Sequence, residues 1–305
     1  MLGLGILSAW RDLSAVRRPE RAPRAPTASA ESTLAALPTA APTAVHSVAA
    51  RPTATGAAPA SSACPADMVL IEGSFCPSLR YECARWSDDN EYRCAEYDRT
   101  QTCTAPLQPR RYCIDRHEWP NRVGELPRVM VSWNDAKAAC AEVDKRLCRR
   151  SEWVLACEGP KWLPYPWGYE RHPSPCNIDR PGIPADANVL IHGAPEDADE
   201  ELARLWQGDR IGSHPDCVSG FGVYDLAGNV DEWTDNAADQ PGTTRPTTLN
   251  GGYWGPVRDT CRLTTKSHGP LFRFYQAGFR CCRDPLDGDM PPFEPWLDPD
   301  PEGRP

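Results

Sequence analysis

A thiol at the end of a glycine-rich turn is the first group in this chain that could do chemistry. Residues 251–262 read GGYWGPVRDTCR, with two glycines, two aromatics, a proline and Cys261. A cysteine in that setting is either a working thiolate or half of a disulfide, and the choice separates an enzyme from a folded binding module. A second group lies upstream in YDLAGNVDEW, where Asp225 and Glu232 bracket a turn at Gly228-Asn229. Calcium takes six to eight oxygens and mixes carboxylates with backbone carbonyls, which such a turn can supply. Spacing alone favours the plainer reading, an Asx-type turn with an acid at the surface.

The cysteines set the context for both groups. The chain has 305 residues and 14 cysteines, at 64, 76, 83, 94, 103, 113, 140, 148, 157, 176, 217, 261, 281 and 282. No C-x-x-C pair occurs, which argues against a zinc ribbon or a thioredoxin-type redox site. An even number of spaced cysteines reads as a disulfide framework of an oxidising compartment, so a secreted, periplasmic or cell-envelope protein is expected. The net charge is -9, with no basic cluster to track a phosphate backbone, which excludes nucleic acid as a partner. None of the six histidines forms an H-x-x-x-H or H-x-x-E pattern; His117 and His268 read as hydrogen-bonded structural residues. No G-x-S-x-G context for a serine nucleophile appears.

The elements that must position these groups begin near Cys64. Residues 1–16 open with MLGLGILSAW, apolar but without a basic flank and too short to span a bilayer. They read either as the remnant of a signal peptide or membrane anchor, and so a membrane tether, or as a tail with a few leucines. Residues 17–63, dominated by Ala, Pro, Thr, Ser and Arg, read as a disordered linker. The domain is placed at 64–283, with its first strand over Met68–Ile71 and a Cys-rich insertion at 76–113. Disulfide hairpins are the favoured reading of that insertion, a metal knuckle the minor one. In SWNDAKAACAEVDKRL, Ser132 and Asp135 form a capping-box pattern, and Trp133, Ala136, Cys140 and Val143 share one helical face. SEWVLACEGP is a second short helix ending at Gly159 and Pro160. Residues 284–305, rich in Pro and Asp, read as an irregular tail. The result is a loop-rich, disulfide-stapled α+β domain.

From Asp67 to Cys282 the chain resembles the sulfatase-modifying-factor family, that of the formylglycine-generating enzymes. MVLIEGSF resembles its opening strand, and YCIDRHEWPN its F-x-I-D-x-x-E-V-T-N segment. VMVSWNDAKAAC, KRLCRRSEWVLACEG, YPWG, GFGVYDLAGNVDEWT, LNGGYWGPVRDTCR and AGFRCC follow in the family's order. The resemblance implies a C-type-lectin-like fold with bound calcium. One calcium would use the Asp225 and Glu232 side chains with the Gly228 and Val230 carbonyls. Another would use Asn177 and the Ile178 carbonyl, with Asp209 or the acidic run 196–201 as candidates for the missing acid. It also implies a Cys157–Cys281 disulfide, with Cys176 and Cys217 as a nearby pair. Cys282 then needs another partner, for which Cys140, Cys148 and Cys261 are the candidates.

The family's oxidation of a peptide cysteine to formylglycine uses copper held by two thiols that follow the double glycine. Aligned on Gly251-Gly252, the second thiol falls on Cys261 and the first on Pro256. Soft thiolates suit Cu(I), and proline supplies none, so a catalytic role for Cys261 with copper is in doubt. Tyr253 stands at the family's serine and Asp231 at its tryptophan. The favoured expectation is a calcium-stabilised binding module that presents Tyr253, Trp254, Arg258 and the 264–275 loop to a peptide, protein or glycan. Tyr253 and Trp254 fit equally as core under the glycine turn. Two alternatives stay open: an oxidase in which Cys261 works with another thiol such as Cys282, and a purely structural head on an envelope stalk.

Overall fold

The computed structural model describes residues 63–87 and 90–296. The expected leader and nearly all of the linker therefore lie outside the described residues, as does the tail beyond 296. Strand β1 (Met68–Phe75) grows from MVLIEGSF, in which Val69, Ile71 and Phe75 alternate onto the buried side. It pairs antiparallel with β6 (Gln108–Asp115), from Met68 opposite Asp115 to Phe75 opposite Gln108. The insertion between them holds β2 (Leu79–Arg80), β3 (Cys83–Ser87), β4 (Asn90–Tyr97) and β5 (Thr102–Cys103). β2 pairs with β5, and β3 with β4. Cys83–Cys94 closes the inner hairpin and Cys76–Cys103 its base, so the insertion's cysteines are spent on bridges. Cys113 belongs to β6 and is bonded to Cys64.

Helix α1 (Trp133–Ala141) starts at the Ser132 cap: the Asp135 N–H donates to Ser132 Oγ at 3.2 Å, and the Ser132 N–H to Asp135 Oδ2 at 2.9 Å. It buries Ala136, Ala139 and Cys140. Val143, expected on that face, lies beyond the helix end and is exposed. The chain turns out of the helix at Asp144, whose φ is 55°, before the short strand β7 (Arg146–Leu147). Helix α2 (Arg150–Glu158) is buried along all nine residues and ends at Gly159, whose φ is 65°. A side chain at Gly159 would meet the Gly220 backbone, so both the turn and the packing require glycine. Helices α3 (Ala187–His192) and α4 (Pro195–Leu205) pack on one another. The remaining strands are β8 (Asp231–Asp235), β9 (Thr247–Asn250), β10 (Thr264–Thr265), β11 (Ala277–Phe279) and β12 (Cys281–Arg283).

Two four-stranded sheets result, in the orders β1-β6-β12-β7 and β10-β9-β8-β11, with β11 parallel to β8. Trp153 of α2 sits in the cluster that covers the first sheet, with Val69, Ile71, Tyr112 and Ile114. Trp233 centres a second cluster between α1 and the other sheet. This is a loop-rich α+β domain stapled by seven disulfides.

The bridges correct the expected Cys157–Cys281 pair. Cys281 is bonded to Cys140, Cys282 to Cys148, and Cys157 to Cys261. The reason is strand alternation: adjacent residues of β12 point to opposite faces of the sheet. Cys281 therefore enters the cluster beneath α1, where Cys140 lies. Cys282 enters the cluster beneath α2, with Cys148, Cys157 and Cys261. Cys176 is joined to Cys217.

The segment after β12 has no helix or strand through residue 296, but it is not loose. Trp296 is buried in the first cluster, edge-on to Phe75 at 4.9 Å, and its indole N–H donates to the Pro77 carbonyl at 2.9 Å. Arg150 lies over its face at 4.1 Å. The Pro/Asp-rich composition conceals one anchoring aromatic, so the packed domain extends past residue 283.

Candidate functional site

The glycine turn is shaped by φ values of 89° at Gly251 and 72° at Gly252, which L side chains rarely adopt. A Cβ on Gly251 would lie 2.8 Å from the Leu226 carbonyl and 3.0 Å from Trp153, and one on Gly252 would collide with Asp259. The Gly228 N–H donates to the Gly251 carbonyl at 3.0 Å, tying this turn to the acidic segment. The chain then passes outward. Pro256 is exposed, whereas Cys261 is fully buried, with its N–H donating to Pro164 at 3.0 Å. The two positions that a copper pair would need thus differ in burial, and the sulfur of Cys261 is bonded to Cys157. A disulfide sulfur is not a thiolate, so these residues do not fit Cu(I). The other proposed thiol, Cys282, is bonded to Cys148. All 14 cysteines fall in the described residues and none is free.

Of the two readings of Trp254, recognition surface or core, the structure has the core one. Trp254 is 1% exposed and packs against Trp206 at 4.9 Å and Tyr275 at 5.8 Å, in a cluster with Leu190, Leu205 and Val230. Burying its ring removes a large apolar area from water, and that outweighs display at the surface. Tyr253 is half-buried at the mouth of a shallow depression that it shares with Pro181, Ile183, Gln207 and Tyr275. Arg258 is partly exposed but committed: one guanidinium nitrogen reaches both oxygens of buried Asp231, at 2.7 and 3.0 Å. Burial raises the Asp231 carboxyl above its usual range, and Arg258 works against that shift. The pair thus occupies the position at which the family pattern has tryptophan. In the 264–275 loop, Leu271 is 72% exposed, while Phe272 packs under it against the second cluster. His268 stacks on Phe272 at 3.7 Å.

The acidic segment is buried rather than displayed. Both oxygens of Glu232 face Arg280, at 2.7 Å each, and the Trp153 indole N–H donates to Oε2 at 2.8 Å. Glu118, a residue of the YCIDRHEWPN segment whose spacing gives no sign of this role, joins them. It accepts from Asn229 Nδ2 at 2.7 Å and the Val230 N–H at 3.2 Å. Burial, with the Asp225 and Glu232 charges adding, holds the Glu118 carboxyl well above its usual range. Asp225 has a φ of 57° and is 3% exposed, and its Oδ2 has no hydrogen-bond partner. The nearest cationic candidate is His117 Nδ1 at 3.8 Å, on a ring stacked against Tyr224. An orphaned buried carboxylate oxygen is costly, and calcium is a group that would satisfy it. Glu232, already neutralised by Arg280, does not fit as a calcium ligand here.

At the second expected calcium set, Asn177 Oδ1 accepts from Arg180 Nε at 2.9 Å. Its amide nitrogen donates to Gln207 O at 2.9 Å and Asn229 Oδ1 at 3.2 Å. The neighbouring Ile178 is buried with Cys176, Cys217 and Ala227. The acidic run 196–201 opens α4, where Glu201 is engaged by Arg204 at 2.6 Å and by the Asp186 N–H at 2.8 Å.

The family described as "Sulfatase-modifying factor enzyme 1-like domain" matches residues 80–285. The chain is 34% identical to the "Inactive C-alpha-formylglycine-generating enzyme 2" of Bos taurus over 169 residues, 52% of this chain and 50% of that protein. It is 32% identical to the "Formylglycine-generating enzyme" of Thermomonospora curvata over 191 residues, 59% of this chain and 56% of that protein. The chain spans about half the length of the curated relatives it matches. Among solved structures, CarF aligns over 72% of this chain and 98% of its own, at 18% identity and a TM-score of 0.44.

Proposed function

The chain belongs to the family of sulfatase-modifying factor enzyme 1-like domains, and we propose that it is a non-oxidising member, a disulfide-stapled binding module that works outside the reducing cytoplasm. The observation that carries this reading is Cys261, whose sulfur is bonded to Cys157 in the interior while the companion position is an exposed proline. Oxidation by a copper–thiolate pair needs two sulfurs on one metal, and neither position offers one. Similarity to proteins named inactive formylglycine-generating enzymes supports the same reading. The seven bridges support an exported or envelope location, since such frameworks persist in oxidising compartments. The recognition surface for a peptide, protein or glycan is Tyr253 with the exposed part of the 264–275 loop, and Trp254 serves as its floor. Calcium, if bound, would be held by the Asp225 carboxylate with the Gly228 and Val230 carbonyls, and would supply positive charge that pins the turn.

The test is oxidation of a cysteine-containing sulfatase-type peptide by the full chain with Cu(I) and oxygen. No aldehyde product above the protein-free control is expected, and the Pro256→Cys variant gains no stoichiometric Cu(I) while the Cys157–Cys261 bridge is intact. Formylglycine formed by the unmodified chain would overturn the proposal.

A further inference from the structure

A second calcium ion, as the family resemblance implies it, would take Asn177 Oδ1 and, as one candidate for the missing acid, the Asp209 carboxylate. In this chain both face one guanidinium. Arg180 Nε donates to Asn177 Oδ1 at 2.9 Å, and its Nη2 lies 3.4 Å from Asp209 Oδ2. His214 Nε2 reaches the same Asp209 oxygen at 2.9 Å. The arrangement is held from behind. The Arg180 N–H donates to the Trp254 carbonyl at 2.7 Å, and the Asn229 N–H to the Asn177 carbonyl at 2.9 Å. The Asn177 amide nitrogen is directed at Gln207 and Asn229, so its oxygen is turned toward Arg180. In α4, Glu201 pairs with Arg204, and Glu196, Asp197, Asp199 and Glu200 are exposed. A guanidinium offers donors in a rigid fork and carries a permanent charge. Calcium needs six to eight oxygens and would be repelled by that charge.

We propose that Arg180 is a built-in cation that replaces the second calcium ion. This builds on the family reading but goes beyond it. The lobe around Asn177, Asp209 and Asn229 is held by a side chain, so divalent cations do not stabilise it. Any calcium response of the protein belongs to Asp225 alone.

Thermal unfolding of the full chain, with calcium chloride and with a chelator, separates the two sets. The Asp225→Asn variant is expected to melt at the same temperature in both conditions. If it is still stabilised by calcium, and Asn177→Ala abolishes that stabilisation, the second set binds the metal and the inference is overturned. If the unmodified protein shows no calcium response at all, the Asp225 reading fails while the Arg180 inference stands. Arg180→Ala in chelator is expected to lower the melting temperature by about 2–4 °C, the size of roughly 1 kcal/mol in a domain of this length. An unchanged melting temperature would also overturn the inference.

Discussion

Replacing Cys157 and Cys261 together by alanine is expected to lower the unfolding free energy by about 2–5 kcal/mol. The bridge joins residues 104 apart in sequence, and both cysteines are fully buried. It fastens the C-terminal end of α2 to the strand-free segment after the double glycine, within the cluster that holds Trp153 and Leu226. Removing it frees that segment in the unfolded chain and leaves two small voids in the folded one. Denaturant unfolding reads both effects as a lower midpoint. A thiol kept for catalysis would behave differently, because its removal would abolish activity with little change in stability. An unchanged midpoint for Cys157→Ala/Cys261→Ala would mean that the bridge is dispensable to the fold.

Arg280→Met is expected to cost about 3–5 kcal/mol, the penalty for leaving a buried carboxylate without its partner. Arg280 is 0% exposed and Glu232 is 1% exposed. Beyond its two bonds to Glu232, the guanidinium donates to the Tyr224 carbonyl at 2.8 Å, and to Asp225 O and Asp115 O at 3.3 Å each. Glu118 and Asp225 lie in the same interior; burial works against the Arg280 charge, and Glu232 foremost, with Glu118 and Asp225, raises its pKa. Without Arg280 three buried acids face one another. The cost should shrink when Glu232→Gln is added, because the amide needs no counter-charge. Equal losses in the single and double variants would show that Arg280 acts by packing alone.

Local features were legible in the sequence because they depend on near neighbours. The Ser132–Asp135 cap, the start of β1 over Met68–Ile71 and the glycine stop after α2 each follow from residues within a few positions. The choice of disulfide partners was not legible. It turns on which face of β12 each of Cys281 and Cys282 takes, and that is set by the pairing of β12 between β6 and β7. The sequence leaves Trp254 open between surface and core, because the cluster that buries it comes from α3, α4 and Tyr275, all distant in sequence. Val143 fitted the helical spacing but fell past the end of the helix. Arg180 was invisible as a cation source, since its partner Asp209 lies 29 residues away. The clearest signal at the candidate site was negative: Pro256 where a thiol is needed.

The most direct test of the account is a disulfide map of the full chain, alkylated in denaturant without reduction and digested. No alkylated cysteine and a peptide linking Cys157 to Cys261 are expected. Alkylated Cys261, with a second free cysteine beside it, would contradict the account and return the site to thiol chemistry.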